Sequence, residues 1–308
     1  MKKTLIIALS IAWQHAAGQT EHNATQNMAL LDNWNPAYST MHENANAVIA
    51  YRNAWSGVSG APQTGMVQLL KPWSGGKFGT SLLAKTEQAG YLKRTSFAID
   101  GAYALITPMN KISFGLRLGV ESLTSTLSDV ALVNPDDLNF RYSYQNIMLP
   151  NAGFGFAMHH NRQWGFGFSV PRLLQSQVEQ NPRQVNVKPT FDLVQMHACI
   201  HAYKKHQLNE QIELQASLFG RTVGRRLPYA QAAIVGTWKK MIGAGISYQY
   251  NQSASCMVML HWKEYLTLSY SYDFPIAQAA QTLGAAHEVV VGTQIKRRGA
   301  VIKNAVEE

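Results

Sequence analysis

Apolar and polar residues alternate along much of this chain. The clearest case is residues 111–120, in which every even position is apolar and every odd position is charged, hydroxylated or glycine. A period of two places successive side chains on opposite faces of a β-strand. We therefore predict that residues 111–120 form a strand with one apolar face.

The same alternation recurs through the chain. It is clear in residues 153–158, 164–170, 242–250 and 266–272. Further candidate strands lie around residues 45–51, 62–70, 77–86, 93–107, 191–204, 211–222, 229–238, 254–261 and 285–295. We predict an all-β chain that forms an outer-membrane antiparallel β-barrel of about fourteen strands, since bacterial barrels need an even number. A soluble sandwich is the alternative, but the strand lengths and aromatic strand ends favour the barrel.

An export signal is predicted at the start of the chain. Lys2 and Lys3 precede an apolar stretch at residues 5–13, and the small residues Ala16 and Gly18 follow at the spacing of a cleavage site. The apolar stretch is too short to cross a bilayer. Residues 1–18 are therefore predicted to be a signal peptide that directs the chain to the outer membrane.

Four segments follow from these patterns. After the signal peptide, residues 19–44 form an N-terminal lead-in without strand pattern, which either stays in the periplasm or folds into the barrel. Residues 45–295 form the transmembrane barrel, and residues 296–308 form a basic and acidic tail. Long polar connections at 125–149 and 173–189 are predicted to be extracellular, and tight turns at 108–110 and 239–240 to be periplasmic.

Net charge limits the binding partners that are expected, and cysteine content limits the disulfide bonds. The net charge is +9, but outside the signal and the tail no run of Lys and Arg is interleaved with aromatic residues. Nucleic acid is therefore not an expected partner, whereas outer-membrane lipid is. Cys199 and Cys256 are too few for a disulfide framework, and the sequence leaves their pairing open.

Glycine is abundant on the non-lipid face of the predicted strands. It occupies positions 115, 119, 153, 155, 165, 167, 243 and 245. Glycine weakens a strand and often marks a bend or a close approach of another backbone. Either another segment packs against this inner face, or the glycines help the wall to curve.

Several motifs in this order resemble one family. They are Asn35-Pro36-Ala37-Tyr38, Tyr51 to Thr64, Asn134-Pro135-Asp136-Asp137, Leu149 to Gly155, Gly167 to Leu174, Ser269 to Asp273, and His287-Glu288. Together they resemble the PorP/SprF family of outer-membrane proteins of the type IX secretion system. The resemblance implies export or anchoring of a specific surface protein, in gliding cells an adhesin, with a periplasmic or outer-membrane lipoprotein as a further partner. Family members commonly end soon after the last strand, whereas here a tail follows Ile295.

The densest group of unusual residues lies between positions 51 and 64. Tyr51, Arg52, Asn53, Trp55 and Pro62 are the candidate partner-binding residues. Arg and Trp are residue types that dominate binding hot spots. The alternative is a structural role, with Arg52 paired to a carboxylate inside the barrel and Trp55 at the membrane interface.

Catalytic and metal-binding patterns are weak. Asp136 and Asp137 are better explained as a turn than as a calcium site. His197, Cys199 and His201 share one strand face, but no further ligand completes a metal site, so a polar lumen lining is expected. Motifs for serine hydrolases, zinc proteases and phosphate-binding loops are missing from the sequence. We therefore expect no enzyme, no cofactor and no metal, with a passive channel or small-molecule uptake barrel as the alternative function.

Overall fold

The computed structural model describes residues 24–126, 144–181, 184–192, 196–223, 229–263, 265–276 and 284–295. The predicted signal peptide, the tail at 296–308 and the motif at 134–137 lie outside the described residues. In the described part of the chain, no helix is long and apolar enough to cross a membrane.

The described residues form sixteen strands, fourteen of which close into an antiparallel barrel. The strands are β1 (Ala45–Asn53), β2 (Gln63–Trp73), β3 (Phe78–Ala89), β4 (Leu92–Ile106), β5 (Asn110–Ser125), β6 (Tyr144–His160), β7 (Trp164–Arg172), β8 (Gln175–Asn181), β9 (Gln184–Thr190), β10 (His197–Gln207), β11 (Ile212–Val223), β12 (Tyr229–Trp238), β13 (Ile242–Gln249), β14 (Ser253–Trp262), β15 (Leu266–Pro275) and β16 (Ala286–Ile295). Consecutive barrel strands pair with each other, β7 pairs with β10, and β16 pairs with β1 to close the wall. The predicted barrel of about fourteen strands is confirmed.

Two predicted loops were wrong in part. The segment 173–189 contains most of a separate hairpin, in which β8 pairs with β9. The segment 125–149 overlaps β6, which starts at Tyr144 and pairs with β5 along most of its length. Both strand segments are rich in polar residues and interrupted by Pro, so they lack the apolar alternation by which the other strands were identified.

The two faces of the wall differ as the alternation predicts. Leu116 and Leu118 point outward and are 69% and 71% exposed, whereas Arg117 between them points inward and is 7% exposed. Exposed tryptophans lie at one end of the outer face, at positions 73, 164, 238 and 262. An apolar outer band with an aromatic girdle is typical of a barrel that faces lipid.

The two ends of the barrel carry different connections. At one end every connection is a short turn, among them Asn161 and Arg162, and Lys239 and Lys240, all with positive φ. Such left-handed residues form the tight turns whose twist suits a hairpin. The long connections, including the β8–β9 hairpin, lie at the other end. Since short turns face the periplasm in outer-membrane barrels, the long connections are extracellular.

The two cysteines lie on opposite sides of the wall. Cys199 is buried in the lumen and Cys256 is exposed on the outer face, and no disulfide bond joins the two. The question that the sequence left open is therefore answered, because the wall itself separates the two side chains.

The closed wall predicts resistance to sodium dodecyl sulfate until the protein is heated, since closure leaves no unpaired strand edge in the bilayer. Unboiled protein extracted from membranes should therefore migrate differently from the boiled sample on a gel run in the cold. Identical mobility before and after boiling would contradict a closed barrel.

Candidate functional site

A polypeptide segment fills the barrel lumen. It consists of residues 24–41, called the plug below, and contains a short helix α1 (Leu31–Trp34) and a 3-10 helix (Pro36–Thr40). Every residue from position 30 to position 40 is buried. The plug is part of the predicted lead-in at 19–44, and the structure has these residues folded into the barrel rather than free of it.

The plug runs along the barrel axis from the extracellular to the periplasmic end. Thr25 contacts Asp273, which lies near the extracellular end of β15. Thr40 contacts Ser113, which lies near the periplasmic end of β5. The chain then enters β1 at the periplasmic end, so plug and first strand run in opposite directions.

A buried ionic cluster holds the extracellular end of the plug. It comprises Thr25, Gln26, Arg52, Asp273 and Glu288, and is called the upper anchor. Arg52 lies 2.5 Å from an Asp273 oxygen and 3.2 Å from a Glu288 oxygen. The backbone amides of Thr25 and Gln26 donate to the two Glu288 oxygens at 2.9 and 2.8 Å. Glu288 is 1% exposed, so these contacts replace the water that a carboxylate would otherwise need.

The Thr25 hydroxyl completes the upper anchor. It donates to Asp273 at 2.7 Å and accepts from the Arg52 guanidinium at 2.7 Å. The plug thus supplies both donors and an acceptor to a charged cluster of the wall. Hydrogen bonds to charged groups are stronger than those between neutral groups, so this end of the plug is firmly held.

A second arginine holds the middle of the plug. Arg117 donates from Nε and Nη2 to the two Asp100 oxygens at 2.6 and 2.8 Å. Its Nη1 and Nη2 also donate to the backbone carbonyls of Asn33 and Asp32 at 2.7 and 2.9 Å. Only a planar guanidinium can serve a carboxylate and two carbonyls at once. The Asp100–Arg117 pair therefore ties α1 to β4 and β5.

Glycines in the wall make room for the lower half of the plug. A Cβ at Gly115 would lie 2.7 Å from the Ala37 Cα, and one at Gly155 would lie 2.9 Å from Pro36 Cδ and 3.0 Å from Asn35 Cγ. Real Cβ atoms do not approach this closely, so the plug rests directly on the strand backbone, with its own backbone at Gly115 and with the Asn35 and Pro36 side chains at Gly155. For these two positions, the hypothesis that another segment packs on the glycine face is confirmed.

The other inner glycines have different neighbours. Gly167 faces the ring of His201, and Gly165 faces the ring of Tyr203. At Gly245 the near atoms belong to neighbouring strands, at Ile234, Val235 and Met257. These glycines accommodate the wall itself, so the plug explains part of the glycine pattern and local packing explains the rest.

Local sequence explains how the plug turns against the wall. The Asn35 side chain accepts a hydrogen bond from the Ala37 amide at 3.0 Å and caps the 3-10 helix, with Pro36 at its first position. Asn is a preferred cap, and Pro is suited to the first turn. The Asn35 amide also donates to the Phe156 carbonyl at 2.8 Å, so one side chain ends the bend and fastens it to β6.

Polar contacts also fix the periplasmic end of the plug. The Tyr38 hydroxyl lies 2.8 Å from His201 Nε2. His42 Nε2 lies 2.9 Å from Asp32. Burial disfavours the charged imidazole, but the carboxylate of Asp32 outweighs this effect and raises the pKa of His42. His201 was considered above as a metal ligand with His197 and Cys199, but in the structure it contacts Tyr38 of the plug. Among the described residues, no group of three or more His, Cys, Asp or Glu side chains could hold a metal ion.

The structure does not bring the five candidate partner-binding residues to one surface. Tyr51 points outward near the extracellular end of β1, and Arg52 points inward to the upper anchor. Asn53 ends β1, and Pro62 is buried. Trp55 is 40% exposed in the extracellular β1–β2 connection, and of the five it has the large apolar side chain best placed for a partner.

Apart from Arg52, sequence reasoning missed the charged residues that hold the plug. Asp100 and Arg117 were among them, although both are single charges inside strands with strongly apolar neighbours. A charge at an inward position of a strand is costly unless it is paired, so it indicates a lumenal partner. This signal is present in the sequence, but it does not identify the partner.

The glycine cleft yields a stability test. Gly155→Ala should lower the free energy of unfolding by about 1–3 kcal/mol, the usual cost of overpacking, because its Cβ would meet Pro36 and Asn35. Denaturant titration of the refolded barrel in detergent measures this change. Gly101→Ala is the matched control, since a Cβ on that strand glycine meets nothing within 4 Å. Equal stability of the two variants would show that the plug does not rest on Gly155.

Comparisons with known proteins agree with this architecture. The sequence matches the family described as type IX secretion system membrane protein PorP/SprF over residues 17–293. No match is found among curated proteins. The Pseudomonas putida toluene transporter TodX is similar in structure, with a TM-score of 0.51 and 9% identity over 89% of this chain and 95% of that chain. A Pseudomonas aeruginosa FadL homologue has a TM-score of 0.48 and 10% identity over 85% and 93% of the two chains.

The likeness to TodX concerns the barrel fold alone, because the identity is low. The family match, in contrast, includes the plug, the upper anchor and the described strands up to Thr293, two residues before the end of β16. The chain is therefore an outer-membrane β-barrel that belongs to the PorP/SprF family of type IX secretion system membrane proteins.

Proposed function

We propose that this plugged barrel helps to export or anchor one specific surface protein, such as a gliding adhesin, at the cell surface. The observation that carries the proposal is the plug itself, held by buried charges at two heights of the lumen. A segment fixed in this way suits a rigid binding scaffold in the secretion machinery. Membership of the PorP/SprF family links the barrel to the type IX secretion machinery. The plug is the physical reason to favour binding of a partner over passage of small molecules.

A passive channel or small-molecule uptake barrel is the second candidate. Its support is the fold likeness to a protein that is named as a toluene transporter. Permeation would require the plug to leave or shift. Asp273 and Glu288 would then lose the hydrogen bonds that the plug donates to them. Breaking a buried charged cluster costs about 3–5 kcal/mol, so the plugged state is favoured.

A binding role, rather than a catalytic one, also suits the buried charges. Arg52, Asp273 and Glu288 are occupied by one another and by the plug. Arg117 and Asp100 are likewise bound to each other and to α1. Groups engaged in this way hold the plug in position, and their hydrogen-bonding capacity is not available to a substrate.

The surface that meets the partner is proposed to lie at the extracellular end, around Trp55. Its indole is exposed in the connection that follows β1, directly beyond the upper anchor. Exposed tryptophans at a loop often become binding hot spots. Periplasmic partners, including a lipoprotein, would meet the opposite end with its short turns.

Deleting the gene should abolish display of one surface protein while other type IX substrates still reach the surface. Surface proteomics measures this by comparing the deletion strain with the same strain after the gene has been restored. If all substrates were lost together, the barrel would serve the machinery in general. If none were lost, the proposal of a dedicated cargo would be wrong.

Trp55→Ala should leave the barrel at its normal level but reduce cargo display about tenfold or more, as expected for a hot-spot residue. Val58→Ala in the same connection is the matched control, because Val58 is exposed to a similar degree. Arg52→Ala should instead reduce the amount of folded barrel, since it leaves two buried carboxylates uncompensated. Barrel abundance and surface cargo are measured in the same cells, and normal display with Trp55→Ala would remove this residue from the partner surface.

Conductance separates the two candidate functions. The purified barrel in a planar bilayer should pass little current, because the plug fills the lumen along its length. A large, steady conductance of the unmodified protein would favour the channel.

A further inference from the structure

The outward face of the wall changes from apolar to polar between two rows of residues near the extracellular end. The upper row crosses β3, β4 and β5 and consists of hydroxyl side chains in register: Thr86, Thr95 and Ser122. The next outward row towards the periplasm is apolar and also in register: Ala84, Phe97 and Val120. Because the lipid-facing band of a barrel is apolar, the extracellular boundary of the hydrocarbon layer lies between these two rows.

An apolar groove lies directly below this boundary. It is open to the bilayer, has a volume of about 550 Å³ and crosses the outer face of β2 to β5. Ala84 forms its floor, because the cross-strand neighbours of this small residue, Val67 and Phe97, are much larger. Leu82 and Ile99 continue the groove towards the middle of the bilayer. An apolar groove at this position suits a hydrocarbon chain.

A polar recess lies directly above the groove. Its volume is about 240 Å³, and polar residues of β4, β5 and β6 line it: Lys93, Thr95, Ser122, Thr124, Gln145 and Asn146. Thr95 in the recess and Phe97 in the groove are successive outward residues of β4. Groove and recess are therefore adjacent parts of one surface, which we call the outer cleft.

A bulge in β6 supplies hydrogen-bonding groups to the recess. The register between β5 and β6 shifts after Leu123, and Asn146 takes a left-handed backbone conformation with a φ of 52°. Its side-chain oxygen accepts from Ser122 Oγ at 3.3 Å and from Thr124 Oγ1 at 3.4 Å. The side-chain NH₂ of Asn146 has no acceptor among the described residues, so it is available to a ligand in the recess.

The charge of the outer cleft is positive. Lys93 is exposed in the recess and forms no ion pair with a described residue. The carboxylates of the same strands point into the barrel and are paired there: Glu87, Asp100 and Glu121. The recess therefore presents one cation among uncharged donors and acceptors. Lysine is a common ligand of phosphate groups, which it binds as a point charge.

We propose that the outer cleft binds a phosphorylated glycolipid of the outer leaflet. An acyl chain of the lipid lies in the groove, and its sugar headgroup lies in the recess. Lys93 binds the phosphate, and Asn146 and the neighbouring hydroxyl groups bind the sugar. A lipid fits this surface because the groove and the recess meet at the membrane boundary. The outer cleft is separate from the partner surface around Trp55, so this inference does not depend on the proposed function.

The test uses the full-length barrel in detergent, freed of bound lipid, and purified lipid A, a phosphorylated disaccharide with acyl chains. Native mass spectrometry should show saturable binding of lipid A. Ala84→Phe should weaken this binding about tenfold, because the ring fills the groove. Ala244→Phe is the matched control, since Ala244 faces lipid from β13 on the far side of the wall. Absence of binding, or equal binding by both variants, would overturn the proposal.

A second pair of variants tests the headgroup contact. Lys93→Gln should weaken lipid A binding about tenfold, as expected for the loss of a hydrogen bond to a charged group. Lys204→Gln is its control, because Lys204 is also exposed on the outer face but lies at the periplasmic end of β10. All these side chains point away from the lumen, so each variant should fold, and the gel shift on heating verifies it. Equal weakening by both lysine variants would show general charge attraction and contradict the site.

Other occupants of the outer cleft give different results. Phosphatidylglycerol has acyl chains and a phosphate but no sugar, and it should bind the barrel at least about tenfold more weakly than lipid A. Equal binding of the two lipids would overturn the glycolipid assignment in favour of anionic lipid in general. If the lipid-free barrel instead forms dimers that Ala84→Phe dissociates, a second copy of the chain occupies the cleft and the proposal is wrong.

Discussion

The ion pair between Arg52 and Glu288 joins the two ends of the barrel wall. Arg52 lies on β1 and Glu288 on β16, and the two residues are direct partners in the register that closes the barrel. Asp273 on β15 extends the cluster to the next strand, and Thr25 brings in the plug. One buried cluster thus ties closure of the wall to filling of the lumen. Since an unpaired buried charge is costly, neither event is complete without the other.

This coupling constrains how the chain assembles. The plug precedes β1 in the sequence and is enclosed by strands that follow it, up to β16. Its helix α1 is a single turn, too short to be stable alone, and gains its order from Arg117 and the surrounding wall. The plug therefore acquires its structure as the wall closes around it. The glycine cleft at positions 115 and 155 allows this without any side chain having to move aside.

The wall could be predicted from the sequence far better than its contents. Alternation identified each barrel strand and the outward position of residues such as Leu116, because lipid imposes a strict apolar face. The β8–β9 hairpin lies outside the barrel wall, where no such face is required, and it was missed. The glycine pattern indicated that something could pack inside. It could not name the segment, because the plug has neither a strand period nor a helix long enough to show one.

The long-range partners of the charged side chains were the second feature that the sequence could not predict. Arg52 was singled out by its residue type, and pairing with a carboxylate was one of two hypotheses. Which carboxylate it meets depends on closure between residues 236 positions apart. Periodicity gives the face on which a side chain lies, but not its neighbour across the seam. The ion pair between Arg172 and Glu121 has the same origin, since the two residues meet only because β5, β6 and β7 are adjacent.

The seam between β1 and β16 also has a mechanical consequence. The two strands pair along the whole of β1, from Ala45 to Asn53, with the Arg52–Glu288 pair near the extracellular end. A tether pulling outward along the barrel axis would load these backbone hydrogen bonds in shear, so that all of them share the force, rather than unzip them one after another. The ion pair stands at the end where such a load would arrive. The junction that closes the wall is therefore also the place where the barrel resists an outward load with all of its backbone hydrogen bonds at once.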